Sequence, residues 1–234
     1  MKKEKIIHFF ILNMAKNTDR YHHIEQMMKN IGCSYSRIEA IDGSKIKDSM
    51  ECRKILKIRP KLLNTTFTSI GFKQEWKYDG SILSSFPGLN LLGHEGAKGL
   101  ILSNMKAFEE ILMLDYEWYC ILEDDAVIDL AIYHKLCEIV NNDANKNVDV
   151  LLLDDRSDGF GGTAGMMYHI NVIGRLLEDL HPLSDFSINM ESNHGLATLW
   201  DWKLWKYIQT AENPIINYLQ VPCIKSGNFD STIN

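Results

Sequence analysis

The chain has 234 residues, of which 45% are hydrophobic and 24% charged, with a formal net charge of −6 and a pI near 5.7. Those proportions suit one large globular domain with a substantial core. The acidic balance excludes general affinity for nucleic acid or anionic membrane, both of which draw on surplus Lys and Arg. A phosphorylated ligand stays open to it through a metal or a local basic cluster.

The opening "MKKEKIIHFFILNMAKN" has the outline of a signal peptide. Its apolar run is short, contains His8 and meets no A-x-A site, so it reads as a first strand. No segment approaches the roughly 20 apolar residues of a membrane helix. Five cysteines (Cys33, Cys52, Cys120, Cys137 and Cys223) are odd in number and never form a CxxC pair. They read as reduced thiols rather than disulfides or a zinc site. Together these features predict a soluble, cytoplasmic protein.

In chain order, "KIIHFFIL" (residues 5–12) is a continuous apolar run of the kind buried on both faces of a sheet. In the next segment Asn17 or Thr18 can cap a helix, Tyr21, Ile24, Met28 and Ile31 recur at helical spacing, and Gly32 stops it. "YSRIEAI" (residues 35–41) reads as a second strand ended by Asp42-Gly43. This β-α-β unit predicts a mostly parallel sheet with right-handed crossovers. Residues 44–92 carry an early basic run, "RKILKIRPK", then turn signals and lone aromatics, and are read as a variable insertion or flap.

Regularity returns in "HEGAKGLILSNMKAFEEILML", where Ala97, Leu100, Ile101, Met105, Phe108 and Leu112 mark one apolar helix face. "WYCIL" is the next strand, "DLAIYHKLCEIVNND" a helix and "VDVLLLDD" another strand. "GGTAGMMYHI" suggests a turn and strand, "NVIGRLLEDLHP" a short helix closed by Pro182, "ATLWDWKLWKYIQ" a helix and "NYLQVPCI" a late strand. Trp200, Trp202 and Trp205 form an aromatic stripe suited to core packing, with sugar stacking as the alternative. The whole chain reads as a single domain, 1–234.

The sharpest feature is "YCILEDDAVI", where an apolar strand breaks into Glu123, Asp124 and Asp125. Adjacent carboxylates repel, and desolvating each costs several kcal/mol. A second strand ends in Asp154 and Asp155. In open α/β sheets ligands gather beyond the carboxyl ends of the strands. Hard cations such as Mg²⁺ or Mn²⁺ take one or two carboxylates together with phosphate oxygens there. A solvated loop or a helix cap accounts for an acid triplet equally simply.

Longer stretches carry a family resemblance. "ILNMAKNTDRYHHIEQMMKNIGCSYSRIEAIDG" resembles the opening of glycosyltransferase family 25, the lipooligosaccharide and procollagen galactosyltransferase group, through Asn13, Asp19, Arg20, Ala40, Asp42 and Gly43. Ala15-Lys16 replaces the basic residue usual after the Asn-Leu pair. "LLGHEGAKGLILSNMKAFEEIL" is similar to the family's L-x-x-G-E-x-G-x-x-x-S-H stretch at Glu95, Gly96 and Ser103, with Asn104 in place of His. "ILEDDAVI" matches its L-E-D-D core. "GGTAGMMYHI" is similar to G-T-x-G-Y with Met166 for the aromatic, "HPLSDF" to a P-x-D element one residue longer, and "VPCIKSGNFDSTIN" to the closing motif. The resemblance spans roughly residues 5–43 and 91–234.

It implies an α/β, GT-A-like (Rossmann-like) sandwich that binds a nucleotide sugar, usually a UDP-hexose. It further implies Mn²⁺ or Mg²⁺ at the acid motif and single-displacement, inverting transfer to a glycan or glycolipid acceptor, compatible with peripheral membrane association. On this reading Asp125, furthest out along the strand end, is the direct metal ligand, helped by Asp124 or Glu123. Glu123 can instead orient a neighbour or contact the ribose. Asn13 and Arg20 flank the turn expected to face base and ribose, with a surface ion pair as the alternative for Arg20. Glu95 and Ser103 lie two turns apart on one helix and can reach the donor, although Glu95 also suits a helix N-terminus on dipole grounds. The general base is Asp154, Asp155 or Asp185. His169, His181 and His194 are secondary candidates for a metal ligand or phosphate donor. The departures from the family pattern leave a non-catalytic nucleotide-sugar- or glycan-binding relative as the rival. A phosphatase of the D-x-D-x-T/V type is disfavoured because "EDDAVID" begins with Glu.

Overall fold

The computed structural model describes residues 6–45, 95–155, 164–180, 200, 204 and 217–227, apart from the side chains of Glu95, Ala97 and Lys98. Asp185, His181, His194, Trp202, Trp205 and residues 46–92 of the anticipated insertion lie outside the described residues. Two compact units divide the chain: residues 1–40, 110–173 and 211–230 form the first, and residues 41–109, 174–210 and 231–234 the second.

The first unit is built on a seven-stranded sheet. Strand β1 (Ile7–Asn13) leads to helix α1 (Thr18–Ile31) and strand β2 (Ser34–Glu39), the expected β-α-β unit. All seven residues of β1 are buried, as an apolar run without polar alternation requires. On one face Ile7, Phe9 and Ile11 join Ile24 and Met28 of α1 in a common core. Full burial of a side chain such as Phe9 contributes about 1.5–3 kcal/mol. Gly32 ends α1 in the left-handed region, at φ 72°, with its N–H bonded to the Met28 and Lys29 carbonyls. Only glycine takes that conformation at no steric cost.

Helix α2 (Glu95–Ile111) belongs to the second unit up to Glu109. There Ile101, Met105 and Phe108 are buried as the helical spacing predicts, whereas Leu112 lies past the end of the helix, 43% exposed. Trp200, 1% exposed, packs on Phe108 with ring centroids 5.7 Å apart, a core position.

Strand β3 (Trp118–Glu123) is followed after two residues by the short β4 (Ala126–Val127). Helix α3 (Leu130–Val140) comes next, capped by the Asp129 carboxylate accepting from the Ile132 N–H. Strands β5 (Val150–Asp154) and β6 (Gly165–His169), helix α4 (Ile170–Asp179) and strand β7 (Tyr218–Ser226) complete the described elements. The strand order is β2-β1-β3-β6-β5-β7-β4. Pairings β1–β2, β1–β3 and β5–β7 are parallel, and β3–β6, β5–β6 and β4–β7 antiparallel. The sheet is therefore mixed rather than mostly parallel. The reason lies in chain length: residues 155–164 alone separate β5 from β6, too few for the crossover of a dozen or more that a parallel return needs.

Because β6 reverses between β3 and β5, strands β1, β2, β3, β5 and β7 still run in one direction. Their carboxyl ends share one edge of the sheet. That edge gathers Asn13, Glu39, Glu123, Asp154 and Ser226 from five separate segments.

Candidate active site

Asp124 and Asp125 form the two-residue turn between β3 and β4 at the carboxyl edge. Their charge is compensated from within the chain. One Arg20 nitrogen lies 2.7 Å from Asp124 Oδ1 and 3.1 Å from Asp125 Oδ2. The Asn13 amide donates to Asp124 Oδ2 at 2.6 Å. Both oxygens of Asp124 are thus engaged, and the residue is only 6% exposed. Asp125 stands further out, its side chain 19% exposed against 8% for Asp124. The repulsion that makes an acid cluster costly is met by a guanidinium and an amide. Part of the compensation for the acids thus comes from the chain itself.

The elements explain this convergence. Asn13 is the last residue of β1, and Arg20 sits in the first turn of α1, where the positive end of the helix dipole also favours carboxylates. In the register Leu12 pairs with Glu123, so the end of β1 lies beside the residue preceding the acids. The Asn13 amide is fully used: its nitrogen donates to Asp124 and to the Asn17 carbonyl at 3.0 Å, and its oxygen accepts from Arg37. Asn13 and Arg20, expected to face base and ribose, both contact the acids. Arg20 pairs with the cluster itself and not with its neighbour Asp19.

The far side of the turn is held by the end of β7. Ala126 and Val127 pair with Ser226 and Lys225, and the Gly227 N–H donates to the Asp125 carbonyl. The same stretch of β7 reaches the second acidic strand end. Asp155 donates its N–H to the Ile224 carbonyl at 3.0 Å, and its carboxylate lies 3.6 Å from Lys225 Nζ. Asp154, 8% exposed, accepts from the Ala164 N–H at 3.1 Å and so ties the end of β5 to the start of β6. The two expected bases therefore differ: Asp154 anchors backbone, and Asp155 stands more open.

Ser103 is 1% exposed, accepts from the Ile41 N–H at 2.8 Å and donates to the Gly99 carbonyl at 2.6 Å. Its hydroxyl holds the chain after β2 against α2. Asn104, also buried, donates to the Leu100 carbonyl. Glu95 is the first residue of α2. Glu123 is half-buried, and its N–H donates to the Ala164 carbonyl. His169 does not join the acids. It pairs with Trp118 at the start of β3, five residue steps before Glu123, about 16 Å along the strand.

Among the described residues no group of three or more His, Cys, Asp or Glu side chains is arranged to hold a metal ion. With Asp124 engaged at both oxygens, the acids fit an ion held by Asp125 and by a ligand's phosphate oxygens, not a cage of protein ligands. Burial pushes the Cys33 thiol up to about 11 and Cys120 well above its ordinary value, so neither is poised as a nucleophile. Sequence reasoning missed Arg37 and Lys225. The alternation of β2, exposing Arg37 and burying Ile38, was the available signal for the first.

No helix among the described residues is long and apolar enough to cross a membrane. No curated protein matches the chain. A solved structure, that of a glycosyltransferase involved in the glycosylation of the major capsid of PBCV-1, aligns at 10% identity with a TM-score of 0.44, covering 96% of each chain. The model of glycosyltransferase family 25 (LPS biosynthesis protein) matches residues 6–159, more than half of the chain and the stretch that holds Asn13, Arg20 and the acid turn. The chain belongs to glycosyltransferase family 25 and is a glycosyltransferase.

Proposed function

We propose that the protein is a metal-dependent, inverting hexosyltransferase that moves galactose or glucose from a UDP-sugar to a hydroxyl of a glycan or glycolipid, as in lipooligosaccharide synthesis. What supports this reading, beyond family membership, is the acid turn: a buried Asp124 fixed on both oxygens beside a more exposed Asp125, at the sheet edge where α/β folds collect ligands. Asp125 would hold Mn²⁺ or Mg²⁺ together with the donor diphosphate. A bound ion there supplies charge neutralisation for the leaving group. Asn13, Arg20 and Asp124 act on the donor indirectly, by setting where Asp125 stands.

In an inverting transfer the acceptor oxygen attacks the anomeric carbon as the bond to the diphosphate breaks. The electron pair leaves with UDP, and the hydroxyl proton passes to a carboxylate. Of the described candidates Asp155 suits that role better than Asp154, whose carboxylate is committed to Ala164. Asp185 remains a candidate on family resemblance. A cytoplasmic site of action, with peripheral association where the acceptor is a glycolipid, accords with this reading.

A donor screen tests it. The protein is incubated with several UDP-sugars with and without Mn²⁺, and UDP release and thermal shift are recorded. At least one UDP-hexose should raise the melting temperature in a Mn²⁺-dependent manner. No response to any UDP-sugar under either condition would refute the reading.

A further inference from the structure

We infer that Arg37 is a positioning residue for this transferase: through the Asn13 amide it orients the Asp124 carboxylate and the Arg20 arm that reaches Asp125. The consequence for donor binding rests on the role proposed above for Asp125. The relay itself rests only on contacts.

Arg37 lies on β2 opposite Ile11, and Glu39 two positions later pairs with Asn13. The guanidinium therefore reaches toward the carboxyl edge. It stacks over the Tyr21 ring at 4.5 Å from the centroid. One of its nitrogens donates to Asn13 Oδ1 and lies 3.5 Å from the Met14 carbonyl. Arg37 thus has a fixed seat on the first turns of α1 and one polar target in the buried interior.

That target is an amide whose orientation matters. The oxygen and nitrogen of a primary amide are nearly the same size, so sterics alone do not choose between the two orientations. Charge does. A carboxylate only accepts, and a guanidinium only donates. Arg37 donates to the Asn13 oxygen while the Asn17 carbonyl and Asp124 Oδ2 accept from the Asn13 nitrogen at 3.0 and 2.6 Å, so all three favour one orientation and Arg37 supplies the only charged donor among them. Asp124 is then held between that nitrogen and Arg20, which in turn spans to Asp125. A flipped amide would set oxygen against carboxylate in a site where Asn13 is 1% exposed, and repulsion at that depth is poorly screened. The order Tyr21–Arg37–Asn13–Asp124–Arg20–Asp125 is thus a chain of matched donors and acceptors in which Arg37 holds the Asn13 oxygen and the Asn17 carbonyl shares the Asn13 nitrogen with Asp124. Arg37 touches none of the acids itself.

The test uses the full chain with UDP and Mn²⁺ as the probe. Arg37→Met keeps an aliphatic stem over Tyr21 and removes the donors; Arg37→Lys keeps a donor. By calorimetry Arg37→Met should weaken UDP binding in Mn²⁺ about tenfold, the size expected for one hydrogen bond from a charged group. Arg37→Lys should recover most of that loss. In an Asn13→Ala background Arg37→Met should cause no further loss, since the two act in series. Wild-type affinity in Arg37→Met, or losses that simply add, would overturn the proposal. If the unsubstituted protein binds no UDP with Mn²⁺, the assignment of Asp125 fails. The relay is then judged on the Asn13 side-chain amide resonances of Arg37→Met, a readout that also serves if Asn13→Ala does not fold. Shifted or broadened resonances support it, and unchanged ones overturn it.

Discussion

Asn13 and Asp124 stand 111 positions apart in the chain, and their side chains meet at 2.6 Å in buried surroundings. The contact joins the end of the first strand to the turn after the third. It shows how a sequence can afford neighbouring acids at a strand end: the partners are built into the preceding β-α unit. Asp124 is the inner, structural member of the pair and Asp125 the outer one.

That division predicts unequal costs. Asp124→Asn leaves the Arg20 guanidinium without its closest counter-charge in a nearly buried site, and should lower unfolding free energy by about 3 kcal/mol. Asp125→Asn removes the longer contact and leaves Arg20 paired with Asp124 at 2.7 Å, so it should cost clearly less than Asp124→Asn. Urea unfolding of both variants checks this, and equal losses would contradict the assignment. Asp125→Asn should also abolish Mn²⁺-dependent nucleotide binding while the fold persists.

The buried His8 predicts an acid sensitivity. Its ring nitrogens lie 2.8 Å from the Ser34 hydroxyl and 3.0 Å from that of Ser36, and burial lowers its pKa from 6.5 to about 4. The unfolded chain takes up this proton before the folded one does. The stability involved is fully present above about pH 6.5 and is lost as pH falls toward 4, by at most about 3 kcal/mol. His8→Gln should flatten that part of the profile. Urea midpoints measured from pH 7 to pH 4 decide it, and parallel profiles for the two proteins would argue against the role.

A close approach within the second unit makes a third case. A Cβ on Gly99 would collide with the Ile41 carbonyl oxygen and lie 3.1 Å from the Gly43 nitrogen, both backbone atoms. Gly99→Ala should destabilise by about 1–3 kcal/mol through forced displacement. Ser103→Ala strips the Ile41 N–H of its acceptor and should cost about 1–2 kcal/mol. Thermal denaturation measures both. A Ser103→Ala protein of unchanged stability and weakened UDP binding would restore the ligand contact expected from sequence.

Among the candidate bases, Asp155→Asn should lower turnover by about 10²–10⁴-fold with donor affinity kept. Asp154→Asn should instead reduce stability, because its carboxylate secures the Ala164 N–H. Initial rates alongside calorimetric donor binding separate the two. Full activity in Asp155→Asn would move the role to Asp185.

Much of the fold was legible because it rests on local chemistry. The uninterrupted apolar run of β1, the spacing of Ile24 and Met28, and the left-handed stop at Gly32 are properties of short segments, and each appears where the pattern predicts. The acid turn at the end of β3 was legible in the same way. The direction of β6 and the partners of the acids were not, since both depend on which distant segments the sheet sets side by side.

The sequence by itself determined most of the described strands and helices, the acidic strand ends and the family, because these follow from residue type and short-range order. The tertiary structure alone decided what balances the acids. Arg20 and Asn13 become partners of Asp124, and Arg37 a partner of Asn13, only when parallel pairing lays β1 between β2 and β3 and brings their carboxyl ends to one edge. No spacing along the chain encodes that pairing, whose register is selected by the burial of side chains on both faces of the sheet.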